Sequence, residues 1–292
     1  MALLKKDDRN EKLKKEKEPQ YYTSATNQPT YNYNVYYMKP LEKILYGLLA
    51  FCAGALVGYL FYGGLGKDEF GNATMLTHIL NISISAIVGA VAVTLFIPLQ
   101  TKSIAERKRN DLRHQFRDML DALNTSLGAG KNVNDSFIGV HEDLKVQYDE
   151  GAFILKELEL IIAGIYNNVA IEETLEDFGR RSGIDDIKSF ANVFRISYRK
   201  GGNIKDIIRN THEIISDKME IADEIETIVA ANKMDQNIMI AMPILLIGAI
   251  KMMSPEFAAN FATPAGILST TTSLVFFVAA YFVGKKILDI KI

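Results

Sequence analysis

Long apolar runs and polar stretches divide this 292-residue chain into blocks. The runs are Ile44–Tyr62, Ile79–Leu99, Ile238–Met253 and Ile267–Gly284. A helix that crosses a hydrocarbon core needs about 20 mostly apolar residues. The first, second and fourth runs satisfy this. The third is short and carries Lys251, so its helix is expected to reach back over Ala230–Asn237, with the Lys251 ammonium extended to the far interface. The pattern predicts four membrane spans in two pairs, with a long polar segment between the second and third.

That polar segment reads as helical. No proline occurs between Leu99 and Met242, so no backbone donor is lost and no ring clashes with a preceding turn. Apolar residues recur at helical spacing in four stripes. They are Phe116/Met119/Leu120/Leu123, Leu155/Leu158/Ile162/Ile165, Ile187/Phe190/Ala191/Phe194/Tyr198, and one that starts at Ile204/Ile207/Ile208/Ile215. Each stripe needs a partner, so a helical bundle is the expectation. Gly128/Gly130, Gly151, Asn167/Asn168, Gly183 and Gly201/Gly202 mark the breaks. A start pattern recurs after three of them: a residue tolerant of positive φ, an apolar residue, an acid and another apolar residue. Asn132 and Asn203 are expected caps, and Asp135, Glu173 and Asp206 suit the positive end of a helix.

Charge sets the expected orientation. Thr101–Arg117 holds six basic residues, and Lys285, Lys286 and Lys291 follow the last run, whereas Ser254–Gly266 has none and Gly63–Thr77 only Lys67. The positive-inside rule then places both termini and the polar segment in the cytoplasm. The expected organisation is a disordered cytoplasmic tail (1–40), two spans (41–100), a cytoplasmic helical domain (101–236), and two further spans with a short tail (237–292). The tail's residues 20–37 carry six tyrosines among Asn, Thr and Gln without apolar periodicity. The fold class is all-α, multi-pass. The first run lies too far along the chain for a usual signal peptide and reads as a retained anchor.

Little catalytic chemistry is in view. A single Cys, Cys52, excludes a disulfide framework and a Cys-based zinc site. A net charge of −2 argues against nucleic-acid binding. His78, His114, His141 and His212 show no metal-ligand spacing, and Gly128-Ala-Gly-Lys131 lacks the spacing of a phosphate-binding loop. No catalytic, cofactor or metal residue is nominated. Asp217, Glu220, Asp223, Glu224 and Glu226 form an acidic cluster that reads as a solvated helix face or as a dock for a basic partner. The spans hold Asn81, Ser83 and Ser85 but no mid-membrane Asp, Glu or Arg, which disfavours ion-coupled transport. Gly54-x-x-x-Gly58 and Ala280-x-x-x-Gly284 permit close helix approach.

The order of several stretches resembles the type II secretion F family of inner-membrane platform proteins, in its tight-adherence (Tad) pilus subgroup. The stretches are Phe116-Arg-Asp-Met-Leu-Asp-Ala-Leu123, Leu127-Gly-Ala-Gly-Lys-Asn-Val133, Ile171-Glu-Glu-Thr-Leu-Glu-Asp-Phe-Gly-Arg-Arg-Ser-Gly183, Gly201-Gly-Asn-Ile204, Met253-Ser-Pro-Glu-Phe257, Phe261-Ala-Thr-Pro-Ala-Gly266 and Gly284-Lys-Lys-Ile287. No single motif is specific; their order from about Arg107 to Ile290 carries the resemblance. Asn168 stands where the family has Gly, and Asn also tolerates the left-handed conformation. The first 40 residues match nothing in the family. A single cytoplasmic helical domain, where type II secretion and type IV pilus members carry two, favours the Tad-type arrangement.

The resemblance implies a non-enzymatic platform in the inner membrane. It would couple a hexameric secretion ATPase to pilin extraction, beside a sister platform protein, as a homo- or hetero-oligomer with no cofactor. The Asp217/Glu220/Asp223/Glu224 face is the candidate ATPase dock, and Gly130, Asn168, Gly183, Gly201 and Gly202 are family-like structural turns. A small four-span transporter or channel subunit is the alternative.

Overall fold

The structure, a computed structural model, describes residues 18–24, 27–66 and 72–288. Strands β1 (Tyr21–Thr23) and β2 (Pro29–Tyr31) pair antiparallel, with Tyr21 opposite Tyr31 and Thr23 opposite Pro29. The remaining elements are helices: α1 (Pro40–Tyr62), α2 (Met75–Gly128), α3 (Val133–Gln147), α4 (Phe153–Tyr166), α5 (Ile171–Ser182), α6 (Asp185–Lys200), α7 (Ile204–Met253), α8 (Pro255–Asn260) and α9 (Pro264–Leu288). Contacts divide the chain into two units. One, the polar body, holds the residues up to Tyr37 and Thr101–Met219; the other, the apolar unit, holds Met38–Gln100 and Glu220–Ile292.

In the polar body the stripes face one core. Leu112, Phe116, Met119, Leu120 and Leu123 of α2 are buried with Phe137, Val140 and Leu144 of α3. Leu155 and Leu158 of α4, Leu175 and Phe178 of α5, and Ile187, Phe190 and Phe194 of α6 complete most of it. Phe116 meets Phe178 and Phe190 edge-on, with ring centroids 6.1 and 5.5 Å apart, a geometry that the ring quadrupoles favour. On α4 the core face is turned slightly from expectation. Ile154 and Ile161 are buried, whereas Ile162 and Ile165 are only partly so. Tyr198 lies at the rim, 38% exposed. On α7, Ile208, Ile215 and Met219 reach the core.

On α7 the core cluster ends at Met219, and the two units divide between Met219 and Glu220. One element departs from the sequence reading, in the segment expected to be a disordered tail. Residues 18–24 and 27–37 carry the hairpin, and Tyr33, 3% exposed, belongs to the core cluster. Burial of tyrosine rings, rather than apolar periodicity, orders this segment. Residues 1–17 lie outside the described residues.

The apolar unit has the opposite surface. Its four candidate spans lie in α1, α2, α7 and α9, with mean hydropathy of 2.1, 2.3, 1.6 and 1.7 in their most apolar windows. At most 17% of any window is buried, so leucines such as Leu41, Leu45 and Leu48 point outward. A surface like this suits hydrocarbon, and a helix satisfies its own backbone there. Together the described residues make a mostly helical chain with four helices long and apolar enough to cross a membrane. Pro98 sits inside α2 and Pro243 inside α7. The third apolar run belongs to one continuous helix from Ile204 to Met253.

Helices α1 and α2 meet through small residues. A Cβ built on Gly54 would lie 2.7 Å from Ala92 Cβ, one on Gly58 3.1 Å from Ser85 Cα, and one on Gly89 2.8 Å from the Phe51 ring. At Gly47 the nearest atom would be 3.8 Å away. Gly54→Ala should therefore cost about 1–3 kcal/mol through overpacking. Gly47→Ala should be neutral or gain up to about 1 kcal/mol of helix propensity. Thermal midpoints of the two detergent-purified variants against wild type check this, and equal midpoints would contradict the packing.

Candidate functional site

The acidic residues Asp217, Glu220, Asp223 and Glu224 are all exposed on α7. Asp217 is followed by Glu220 and Glu224 at steps of three and four, which share a helix face; Asp223 is turned away from that line by about 100°. The unit division separates Asp217, in the polar body, from the other three. Lys218 on the same helix pairs with Asp186 of α6.

The turns are specific in backbone conformation. Gly130, Gly183 and Gly201 have φ of +88°, +66° and +71°, and Asn168 has +56°. These values are easy for Gly and tolerable for Asn. Gly202 is different. Its conformation is not left-handed, but a Cβ there would lie 3.0 Å from Ser197 Cβ, and its N–H donates to the Ser197 carbonyl at 2.7 Å. Asn132 caps α3, its side-chain oxygen accepting from the Asp135 N–H at 2.8 Å. Asn203 does the same for Asp206 at 3.4 Å.

The most constrained polar constellation lies elsewhere, in the core of the polar body. Asp177 and Arg181 are four residues apart on α5, and Glu157 comes from α4. The Arg181 guanidinium is 2% exposed. Its Nη2 and Nη1 donate to Glu157 Oε2 and Oε1 at 2.6 and 2.9 Å, and its Nε donates to Asp177 Oδ2 at 2.8 Å. Arg180 Nη2 reaches Asp177 Oδ1 at 2.6 Å. Two guanidinium groups thus balance two carboxylates.

The hairpin segment closes this centre. Arg181 Nη1 also donates to the Tyr31 carbonyl at 3.1 Å, and the Tyr33 hydroxyl donates to Glu157 Oε1 at 2.9 Å. The Tyr33 N–H returns a bond to the Arg181 carbonyl at 2.9 Å. Tyr31 and Tyr33 pack edge-on at 5.0 Å, and Tyr33 meets Phe153 at 5.5 Å. The Lys108 ammonium lies 4.1 Å from the Tyr36 ring centroid. Gly183 supplies space, because a Cβ there would collide with the Asn34 side chain.

Burial would lower the Arg181 pKa, but the hydrogen bonds and charge of Glu157, with Asp177, hold it above its ordinary value. Burial, reinforced by the charge of Glu157, pushes the Tyr33 phenol well above its usual range. The Tyr148 phenol, desolvated and donating to Asp118 at 2.5 Å, is pushed up to about 12. Each group in the centre is occupied by another protein group, so its chemistry is that of a fastening. Among the described residues no three His, Cys, Asp or Glu side chains converge as a metal site. His141 faces Glu142 at 3.2 Å, and His212 contacts Ser216 at 3.4 Å.

No family model, curated protein or solved structure matches this chain. The fastening was not among the residues nominated from sequence. Its signals were Glu157, at helical spacing from the core residues Ile154 and Ile161 of α4, and an acid–base pair at i, i+4 on α5.

Arg181→Met should destabilise the protein by about 3–5 kcal/mol, because buried Glu157 loses its guanidinium partner and Asp177 keeps only the exposed Arg180. Tyr33→Phe should cost about 1–2 kcal/mol at neutral pH. The raised Tyr33 pKa means that the phenol's contribution is complete below pH about 10 and is lost as pH climbs through the folded value. Denaturation of the full chain across alkaline pH checks the sign: Tyr33→Phe should shrink the alkaline loss, leaving the part due to Tyr148.

Proposed function

We propose that this chain is a non-enzymatic platform protein of a cell membrane, serving pilus assembly or a type II-like secretion machine. The observation that carries the reading is the order of parts. Two apolar helices, a polar helical body and two further apolar helices follow one another, and F-family-like stretches recur in sequence from about Arg107 to Ile290. In this reading both termini and the polar body face the cytoplasm, as the distribution of Lys and Arg favours.

The partners proposed are a hexameric secretion ATPase, a sister platform protein and pilin subunits. The exposed carboxylates of Asp217, Glu220 and Glu224 along one face of α7, with Asp223 on its adjacent side, are the ATPase dock in this reading, since a patch of one sign steers and orients a basic partner. Helix α7 supports the coupling role. It continues without a break from the core residues Ile208 and Ile215 to the apolar run ending at Met253. A helical connection is stiffer than a flexible linker, so a displacement of the polar body would be passed to the membrane-embedded part of that helix.

Four glycines inserted after Ala230 interrupt α7 while leaving both flanking segments intact. The insertion should abolish piliation or secretion in the native host with normal protein level in the membrane. Normal piliation would remove the coupling mechanism.

A further inference from the structure

Helix α7 carries two apolar lines. One is buried: Ile208, Ile215 and Met219, and farther on Val229. The other faces outward: Ile214, Ile221 and Ile228 are 55%, 51% and 64% exposed. Ile214 and Ile228 each precede a buried residue, so the second line is turned about 100° from the first. All these positions sit on one unbroken helix, and a seven-residue repeat drifts only about 20° per step along it. The exposed line is roughly 21 Å long, or about four turns. An amphipathic helix needs one apolar stripe for its own core; α7 has a second that the described residues leave uncovered.

Lipid does not cover this line either. A span of about 20 residues ending at Met253 begins near Met234. Ile228, Ile221 and Ile214 then lie roughly 9, 20 and 30 Å before that point along the helix. Ile221 and Ile214 are in water, where an apolar patch rimmed by polar groups marks an interaction surface.

The rim decides what fits. Asp217 and Glu224, both exposed, stand three residues beyond Ile214 and Ile221 on one edge of the line. The exposed Glu213 and Glu220 continue that edge outward. On the other edge stand the half-buried Ile225 and Lys218, whose ammonium is paired with Asp186 of α6. Arg113 of α2 approaches the same Asp186 at 3.8 Å. Residues 213–228 hold six carboxylates against one ammonium. A second α7 laid on this line would set one excess of negative charge against another, and that repulsion rejects it. A helix with apolar residues at matching spacing and Lys or Arg beside them satisfies both the apolar line and its rim.

We propose that the exposed line of α7 docks a basic amphipathic helix of a different protein. Its apolar residues lie on Ile214, Ile221 and Ile228, and its Lys or Arg side chains face Asp217 and Glu224. The proposal rests on the docking reading above in taking this side of α7 as the dock, and adds the chemistry of the segment that binds there.

The test is photo-cross-linking of the full chain in its native membrane, with p-benzoyl-phenylalanine replacing Ile214 or Ile221. Mass spectrometry then maps the attached peptide. The expected adduct is with another protein, on a segment whose apolar residues recur every three or four positions and whose Lys and Arg outnumber Asp and Glu. Reversing the rim with Asp217→Lys and Glu224→Lys together should cut the yield about tenfold, whereas Asp217→Glu with Glu224→Asp should keep it. An adduct with α7 of a second copy, with lipid alone, or with a segment lacking the basic surplus would overturn the proposal. So would a full yield after charge reversal, or no adduct from either position with the protein at its normal level in the membrane. A basic amphipathic helix from a protein other than a secretion ATPase would support this proposal and remove the ATPase reading. An ATPase captured through an acidic or unpatterned segment would do the reverse.

Discussion

A guanidinium that is 2% exposed has to be satisfied entirely by the protein. Arg181 meets that demand with Glu157 from α4, Asp177 from its own helix and the Tyr31 carbonyl from the hairpin segment. The consequence is positional. The register of α4 against α5, and the place of residues 18–24 and 27–37, are set by one group that tolerates few alternatives. Such a centre adds little net stability, since desolvation cancels much of the attraction. Its effect is specificity, and the surrounding tyrosine and phenylalanine rings supply the apolar burial that holds the hairpin segment down.

The apolar unit is governed by a different constraint. Its helices bury little of their own apolar surface, so close approach of backbones replaces a hydrophobic core. Gly54, Gly58 and Gly89 permit that approach between α1 and α2. Where a polar atom must lie at the edge of such a unit, it is anchored. Lys251 reaches the α1 carbonyls, Gln236 donates to the Tyr281 carbonyl at 3.3 Å, and Tyr62 and Thr271 share a hydrogen bond at 2.9 Å.

Much of this was legible from local pattern. The stripes through Phe116–Leu123 and Ile187–Phe194 identify core faces because helical period alone decides them. Helix ends at Gly128, Ser182 and Lys200 follow from the Gly residues beyond them, and Asn168 takes the left-handed conformation its position asks for. The hairpin was not legible. Its strands are three residues each, too short for alternation to register, and Tyr33 is ordered by Glu157, a partner 124 residues away. The same holds for the limit of the core at Met219. Amphipathic spacing continues past it along α7, and only the contacts of the folded body show where the partner surface stops. The acidic residues of α7 were legible as exposed, which is a property of charge; what they meet depends on another molecule.

The proposed function joins these parts. A rigidly fastened helical body on the cytoplasmic face would receive force through the acidic face of α7 and pass it along that helix into the membrane. The most direct test is photo-cross-linking in the native membrane from residues introduced at Glu220 and Asp223, followed by identification of the captured proteins. The account predicts capture of a hexameric secretion ATPase at these positions, and of a sister platform protein or a pilin from the membrane. Capture of none of them, with the protein abundant and intact, would contradict it.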